Sequence, residues 1–160
     1  MFIRSMSESD VATVVALAVD VFGPFHEESF RPAVGEEIFA NQDAGWRQEY
    51  AEQIPRLHAP DEHKHVAVAE IDGRIGGFVA WTVVPAARNG EITHVAVSAA
   101  SRRAGVGAAL CEHAFARLKQ AGAEVVTIGT GGDDFHAPAR DLYASLGCTP
   151  FPLVTYYRRL

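Results

Sequence analysis

Apolar residues recur at two spacings along this chain, and the switches between them outline its elements. Val11, Val14, Val15, Ala18 and Val19 fall at the three- and four-residue spacing of one helix face. Ser7 or Ser9 can cap that helix, with Asp10 in its first turn, and Gly23-Pro24 reads as its end. Phe2-Ile3-Arg4 ahead of it reads as a short strand. From Phe25 to Pro60 the chain is polar-aromatic with weaker periodicity. Ile38, Phe39, Trp46, Tyr50 and Ile54 there suggest one or two helices, broken near Asn41 to Gly45 and stopped by Pro55.

His65 to Ile71 then reads as a strand, Asp72-Gly73 as a hairpin turn, and Arg74 to Val84 as the return strand. A kink is expected at Gly76-Gly77 and a stop at Pro85. Asn89-Gly90 reads as a turn before the next strand, Glu91 to Val97. Val106, Leu110, Ala114 and Leu118 form the stripe of a helix that runs to about Gln120 and closes at Ala121-Gly122. Glu124 to Thr130 reads as an apolar strand, expected to be central and covered on both faces. A loop from Gly129 to Asp134 leads to a last helix, about His136 to Leu146, with Pro138 in its first turn and Gly147 just past its end. Leu153 to Arg159 is expected as a final strand. The order is that of an α/β fold with a sheet of mixed strand direction, in a single domain over residues 1–160.

Composition narrows the function classes. The net charge of −6 argues against nucleic acid as the main partner and suits a cationic small molecule or peptide amine. No uninterrupted apolar stretch approaches the roughly 18–20 residues of a membrane span. Met1-Phe2-Ile3-Arg4 lacks the arrangement of a secretory leader. A cytoplasmic protein without a membrane partner is therefore expected. Cys111 and Cys148 stand in no metal or redox spacing and are expected to be reduced thiols.

The chemistry concentrates between the Glu91–Val97 strand and the helix after it. Arg102-Arg103-Ala104-Gly105-Val106-Gly107-Ala108 joins a strand to a helix start through glycines. Glycine lets a ligand approach the backbone closely, and the first N–H groups of a helix lack intrahelical acceptors and favour anions. The arginines add positive charge. The segment therefore reads as a cradle for a phosphate-bearing cofactor. It lacks the lysine and hydroxyl of a nucleoside-triphosphate loop. It also lacks the third glycine of a dinucleotide fingerprint, since Leu110 stands there.

Arg-x-x-Gly-x-Gly after a strand resembles the acetyl-coenzyme-A loop of the GNAT superfamily of N-acetyltransferases. Glu91-Ile92 followed by Val95-Ala96-Val97 is similar to that family's fourth strand. Ala139, Leu142, Tyr143 and Leu146-Gly147 are similar to its late helix. The family pattern has Asn where this chain has His136 and Phe where it has Cys148. The resemblance implies a GNAT fold, a mixed and mostly antiparallel sheet flanked by helices. It implies acetyl-coenzyme A as cosubstrate, no metal, and direct transfer to a primary amine of a small molecule or peptide. Homodimerisation is a family habit.

By the same resemblance, the backbone of Val95, Ala96 and Val97 would pair with the acetyl and pantetheine amides. Arg103, Ala104, Gly105, Val106, Gly107 and Ala108 would wrap the pyrophosphate, with Arg102 opening the motif. His136 and Ala139 would line the cofactor, Tyr143 would be the acid, and Glu91 matches a general-base position. Plainer roles stand beside these. Tyr143 also fits a core aromatic, Glu91 a strand-start carboxylate and His136 a helix cap. His94, on the face opposite Glu91 unless a bulge intervenes, fits a structural histidine. His63 and His65 fit a solvated strand entrance better than a metal site. Glu27, Glu28, Glu36, Glu37 and Asp43 fall where the family builds its acceptor site and also fit a solvated face. Phe25, Phe30, Trp46 and Tyr50 could line that site or form core. A non-catalytic acyl-coenzyme-A sensor and an enzyme for another acyl group remain as alternatives.

Overall fold

Five strands lie side by side in chain order in a computed structural model that describes residues 1–160: β1 (Phe2–Ser5), β2 (Lys64–Ile71), β3 (Arg74–Val84), β4 (Asn89–Val97) and β5 (Val125–Ile128). The first three junctions are antiparallel and the β4–β5 junction is parallel. Strand alternation sends Val66, Val68, Phe78, Ala80 and Ala96 to one face, against Val14, Leu17 and Ala18 of α1 (Val11–Pro24). It sends Ala67, Ala69, Val79, Trp81, Val83 and Ile92 to the other, against Val106, Leu110, Ala114 and Leu118 of α5 (Val106–Gln120). Between α1 and β2 lie α2 (Arg31–Val34), α3 (Glu36–Gln42) and α4 (Trp46–Gln53); α6 (Ala137–Ser145) follows β5.

Local chemistry sets several junctions. Asp72 and Gly73 have φ of 50° and 75°, the two left-handed residues of a type I′ hairpin. Ala69 faces Gly77 and Glu70 faces Ile75, so Gly76 is an extra residue that kinks β3. A Cβ at Gly76 would stand 2.6 Å from Ser101 Oγ.

Four expectations from the sequence are corrected. Gly23-Pro24 does not end the first helix. The helix passes through Pro24 into a π turn over Phe25–Phe30 and on into α2. Pro24 and Pro32 bracket the widened turn, where missing N–H groups break the ordinary ladder. Gly23 serves packing: a Cβ there would lie 3.0 Å from the Trp46 ring. The fused rod, Glu8–Val34, contains an 18-residue window of mean hydropathy 1.2, so one helix does have the length and composition of a membrane span. Its apolar stripe is occupied by the sheet.

Asn89-Gly90 is not a turn. Both residues lie in β4, and Arg88, at φ 47°, makes the corner. Gly90 is needed because a Cβ would sit 2.3 Å from Leu118 Cδ2 of α5. The strand expected at Glu124–Thr130 shortens to Val125–Ile128. It lies at the sheet edge with Val125 65% exposed, neither central nor covered on both faces. Leu153–Arg159 forms no strand; the chain beyond Gly147 has no regular structure. The last helix is preceded by a 3-10 turn, Asp134–His136, and ends at Ser145.

A polar clasp fixes the N-terminal edge. Arg4 Nη1 and Nη2 donate to the Asp10 carboxylate at 2.6 and 3.0 Å, and Arg4 Nε donates to Glu70 at 3.1 Å. The Ser7 N–H and hydroxyl donate to Asp10 Oδ2 at 2.7 and 2.6 Å. The Arg4 guanidinium foremost, then the Ser7 donors, holds the Asp10 carboxyl well below the usual carboxylate range. A depressed folded-state pKa gives stability that is present above the unfolded value near 4 and lost as pH falls below it. Asp10→Asn is expected to cost about 1.5–3 kcal/mol at neutral pH, the usual scale for hydrogen bonds to charge. The deficit should shrink toward about pH 3, where the wild-type carboxylate begins to lose its own advantage. Urea unfolding at both pH values measures this.

Candidate functional site

β4 pairs with β3 along its length, as far as Val97 against Gly77, but with β5 only from Asn89 to Ile92. Beyond Ile92 the two parallel strands part. Thr93 to Val97 therefore carry peptide groups on the β5 side that no ladder uses. Val95, Ala96 and Val97 all lie in this free stretch, with Ala96 buried under α1 and Val95 and Val97 half-buried toward α5.

The irregularity that accompanies this parting also sets the side chains. Ala80 faces His94 and Trp81 faces Ile92, leaving Thr93 as an extra residue. Glu91, opposite Thr82, and His94, opposite Ala80, therefore share the α1 face, which reverses the parity of a regular strand. Glu91 is exposed. His94 is half-buried between Phe22 (6.2 Å between ring centroids) and Phe78 (6.5 Å), with Nδ1 3.1 Å from Thr93 Oγ1. Burial lowers its pKa and keeps it neutral near pH 7.

After β4, the Ser98 N–H donates to Gly76 O at 2.9 Å, and a 3-10 turn (Ala99–Ser101) leads into the cradle. Arg103 and Gly105 take left-handed φ of 60° and 75°. These two reversals turn the chain so that α5 starts at Val106. The first bond into the helix runs from Ala109 N to Gly105 O at 3.0 Å, and no side chain caps the end. The N–H groups of Val106, Gly107 and Ala108 are left pointing out of the helix start. Arg102, Arg103, Ala104 and Gly105 are exposed, and Arg102 Nε donates to Val97 O at 3.3 Å. The space beside Gly105 is open: a Cβ there would meet nothing within 4 Å. Gly107 is different. Its Cβ would stand 3.2 Å from Leu142 Cδ2 and 3.7 Å from Val97 Cγ2, so this glycine admits α6 and β4 to the helix start.

That contact brings the late helix to the cradle. Tyr143 follows Leu142 and is half-buried near Cys111 and Cys148. Burial, helped by the two thiols, pushes its phenol up to about 12. Ala139 is half-buried one turn earlier. His136 Nδ1 holds the Asp133 carboxylate, whose other oxygen accepts from Ser29 Oγ at 2.9 Å. Its ring lies edge-on to Phe25, 4.8 Å away. Arg140 Nη1 donates to Gly131 O and Asp133 O at 2.6 and 2.7 Å, which fixes the loop after β5.

The N-terminal helices close the other side. Most of the acidic set is already paired. Glu27 accepts from Arg31 and Trp46 Nε1, Glu36 from Arg31, Glu37 from Arg159, and Asp43 binds His26. Glu28 has no ion pair and lines a groove of about 550 Å³ with Pro24, Ser29, Pro32, Asp134 and Phe135. His63 and His65 stand away from this site, at the entrance to β2, where His65 stacks on Trp81 at 5.4 Å.

Sequence reading did not find one network here. His26, 8% exposed, puts Nδ1 2.6 Å from Asp43 Oδ2 and Nε2 3.1 Å from the Tyr50 hydroxyl, and stacks on Trp46 at 4.6 Å. Tyr50 in turn stacks on Phe22 at 5.5 Å, and Phe22 touches His94. A helical spacing that places His26, Asp43 and Tyr50 on three separate elements gives no local signal.

Residues 26–148 match the acetyltransferase (GNAT) family. No curated protein sequence matches the chain. Among solved structures, a mutant BH1408 protein from Bacillus halodurans superposes with a TM-score of 0.73 at 19% identity, covering 100% of both chains. An aminoglycoside acetyltransferase from an uncultured soil metagenomic sample, in complex with sisomicin, gives a TM-score of 0.66 at 19% identity, covering 99% of this chain and 95% of that one. Aminoglycoside N-acetyltransferase AAC(6')-Iy in complex with CoA gives 0.69 at 14% identity, covering 99% and 93%. With its parted parallel strands, glycine cradle and late helix, the chain belongs to the GNAT acetyltransferase family.

Proposed function

We propose that this protein transfers an acetyl group from acetyl-coenzyme A directly to a primary amine of a small molecule. The observation that carries the reading is the cradle: free helix-start N–H groups, open space at Gly105 and two arginines, beside a strand that pairs with β3 but leaves its β5-side peptide groups unpaired beyond Ile92. Those features suit a diphosphate followed by a chain of amides. The bound cosubstrate would supply a thioester-activated acetyl group. Arg103 to Ala108 hold the phosphates, and Val95 to Val97 offer N–H donors to amides and to a carbonyl oxygen as charge develops on it.

The acceptor reaches the strand from the α1 side. Glu28 and Asp134 in the groove give a cationic amine two carboxylates that no arginine has claimed. Aminoglycoside acetyltransferases share the fold, which makes a multiply charged small amine the favoured acceptor class. Glu91, exposed on that same face, takes the ammonium proton directly or through water, leaving nitrogen its lone pair for attack. Nitrogen bonds to the acyl carbon, the carbon–sulfur bond breaks, and the second proton carried by that nitrogen passes to the departing sulfur or to solvent, giving the amide and the free thiol. Tyr143 faces the departing sulfur as a hydrogen-bond donor. With its phenol near 12, far above an ordinary thiol near 8.5, it stabilises the thiolate chiefly by donation. His136 and Ala139 line the cofactor side of α6.

Thiol release from acetyl-coenzyme A across a panel of amines tests the reading. Release that depends on an amine supports it, and binding without release makes the protein an acyl-coenzyme-A sensor. Gly105→Val forces a β-branched residue into a left-handed backbone, at a cost of about 1–2 kcal/mol. Coenzyme A affinity by calorimetry should fall about 5- to 30-fold through that strain. Tyr143→Phe should lower kcat about 10²–10⁴-fold with cofactor affinity retained. Because the Tyr143 proton persists below about pH 12, the kcat–pH curve of the variant should keep the wild-type shape at a lower level. Glu91→Gln should remove the limb of kcat that rises with pH, whereas His94→Gln should leave that limb in place; full pH profiles separate the two.

A further inference from the structure

The rod that joins α1 to α2 departs from α-helical bonding at its widened turn, Phe25–Phe30. There the Arg31 N–H donates to His26 O, one residue further back than an α-helix reaches. Losing that extra residue from the turn would rotate the chain that follows by about 100°. One wall of the groove is made within and just after the turn, by Glu28, Ser29, Pro32 and Ala33. In the observed phase Ser29 Oγ donates to Asp133 Oδ2 at 2.9 Å, across to the loop after β5. Pro24 and Pro32 lack ladder donors and so permit a widened turn, but a missing donor does not choose a phase.

His26 does have the means to choose it. The Asp43 carboxylate only accepts, so His26 Nδ1 donates to it, at 2.6 Å. Nε2 lies 3.1 Å from the Tyr50 hydroxyl, which can donate or accept and so suits either form of the ring. The ring stacks on Trp46 at 4.6 Å and 3°. Trp46 and Tyr50 stand one turn apart on α4, with Asp43 just before it, so the hold comes from a separate element. Trp46 is 2% exposed, and the absence of a Cβ at Gly23 lets it in. A ring as buried as His26 that gave up these partners would leave polar groups unmet. We propose that His26 is a positioning residue for amine recognition: held by Asp43 and Tyr50, it locks the widened turn in the phase that sets Glu28 and Ser29 along the groove where, on the reading above, the acceptor binds. It acts through the groove wall and not on the reacting atoms. Without the lock the rod samples other phases, and apparent amine affinity falls with the fraction of the competent one.

Hydrogen exchange without any ligand reads the lock itself. Asp43→Ala should lose protection over residues 26–31 and keep it along α5. Steady-state thiol release then reads its use, with putrescine, spermidine and kanamycin as amines. For any of these that is acetylated, KM should rise about 10- to 100-fold in Asp43→Ala, the scale of one hydrogen bond to charge. Saturated kcat and coenzyme A affinity should not change. His26→Phe, which keeps only the stacking, should behave like Asp43→Ala. Asp43→Asn, whose side-chain oxygen still accepts from Nδ1, should recover both the protection and the KM. Unchanged exchange in Asp43→Ala overturns the proposal. So does a wild-type KM in a variant whose exchange has risen, or a KM that Asp43→Asn does not recover. Thiol release with none of the amines, in the wild type, overturns the transfer reading and with it the amine role of His26, while exchange still decides the lock.

Discussion

The parting of β4 from β5 after Ile92 is the constraint on which the rest of this structure depends. A sheet interior normally leaves no peptide group unpaired, because a buried orphan is costly. Here one strand stays bonded to β3 while its other side is released. The extra residue at Thr93 falls at the same place, so strand register and side-chain parity change together. The parting leaves the β5-side peptide groups between Thr93 and Val97 unpaired, and the extra residue beside it puts Glu91 and His94 on the α1 face. A regular strand would place those two residues on opposite sides and leave no slot beside them.

The sheet's two faces divide the labour around that slot. The α5 face is close-packed, and its glycines exist for contact: Gly90 receives Leu118, and Gly77 lies against Leu110 and the Ala96 carbonyl. This holds the start of α5, with its outward N–H groups, in fixed relation to the end of β4. The α1 face is built of aromatic rings and a buried histidine network, and its rod is widened by a π turn between two prolines.

Local chemistry was legible in the sequence, and nonlocal chemistry was not. The Asp72-Gly73 turn, the Gly76 kink, the helix start at Val106 and the order of elements follow from residues adjacent in the chain. Gly23 and Gly90 read locally as breakers for one shared reason. Each clears space for a side chain distant in sequence, Trp46 and Leu118, as Gly107 also does for Leu142. Nothing beside these residues reveals that partner. The buried His26–Asp43–Tyr50 network escaped for the same reason. The apolar run at Glu124–Thr130 reads as a covered central strand and the one at Leu153–Arg159 as a final strand. The structure gives one short edge strand and one unpaired segment, because hydrophobicity states a need for burial without saying which surface meets it.

The charge pattern on the acceptor side argues for selection by a few groups and against a general electrostatic trap. Five acidic residues were read there, and four are engaged by Arg31, Arg47, Arg159 or His26 within the chain. The arginine pairs among these contribute little stability, and they also cancel the field that would draw cations from a distance. What survives is local: Glu28 and Asp134, both lining one groove. An amine must come within a few ångströms to feel them, so spacing between its charges matters more than its total charge. For the proposed acetyl transfer, an acceptor with two amines suits that arrangement, because one can stay with the carboxylates while the other reacts.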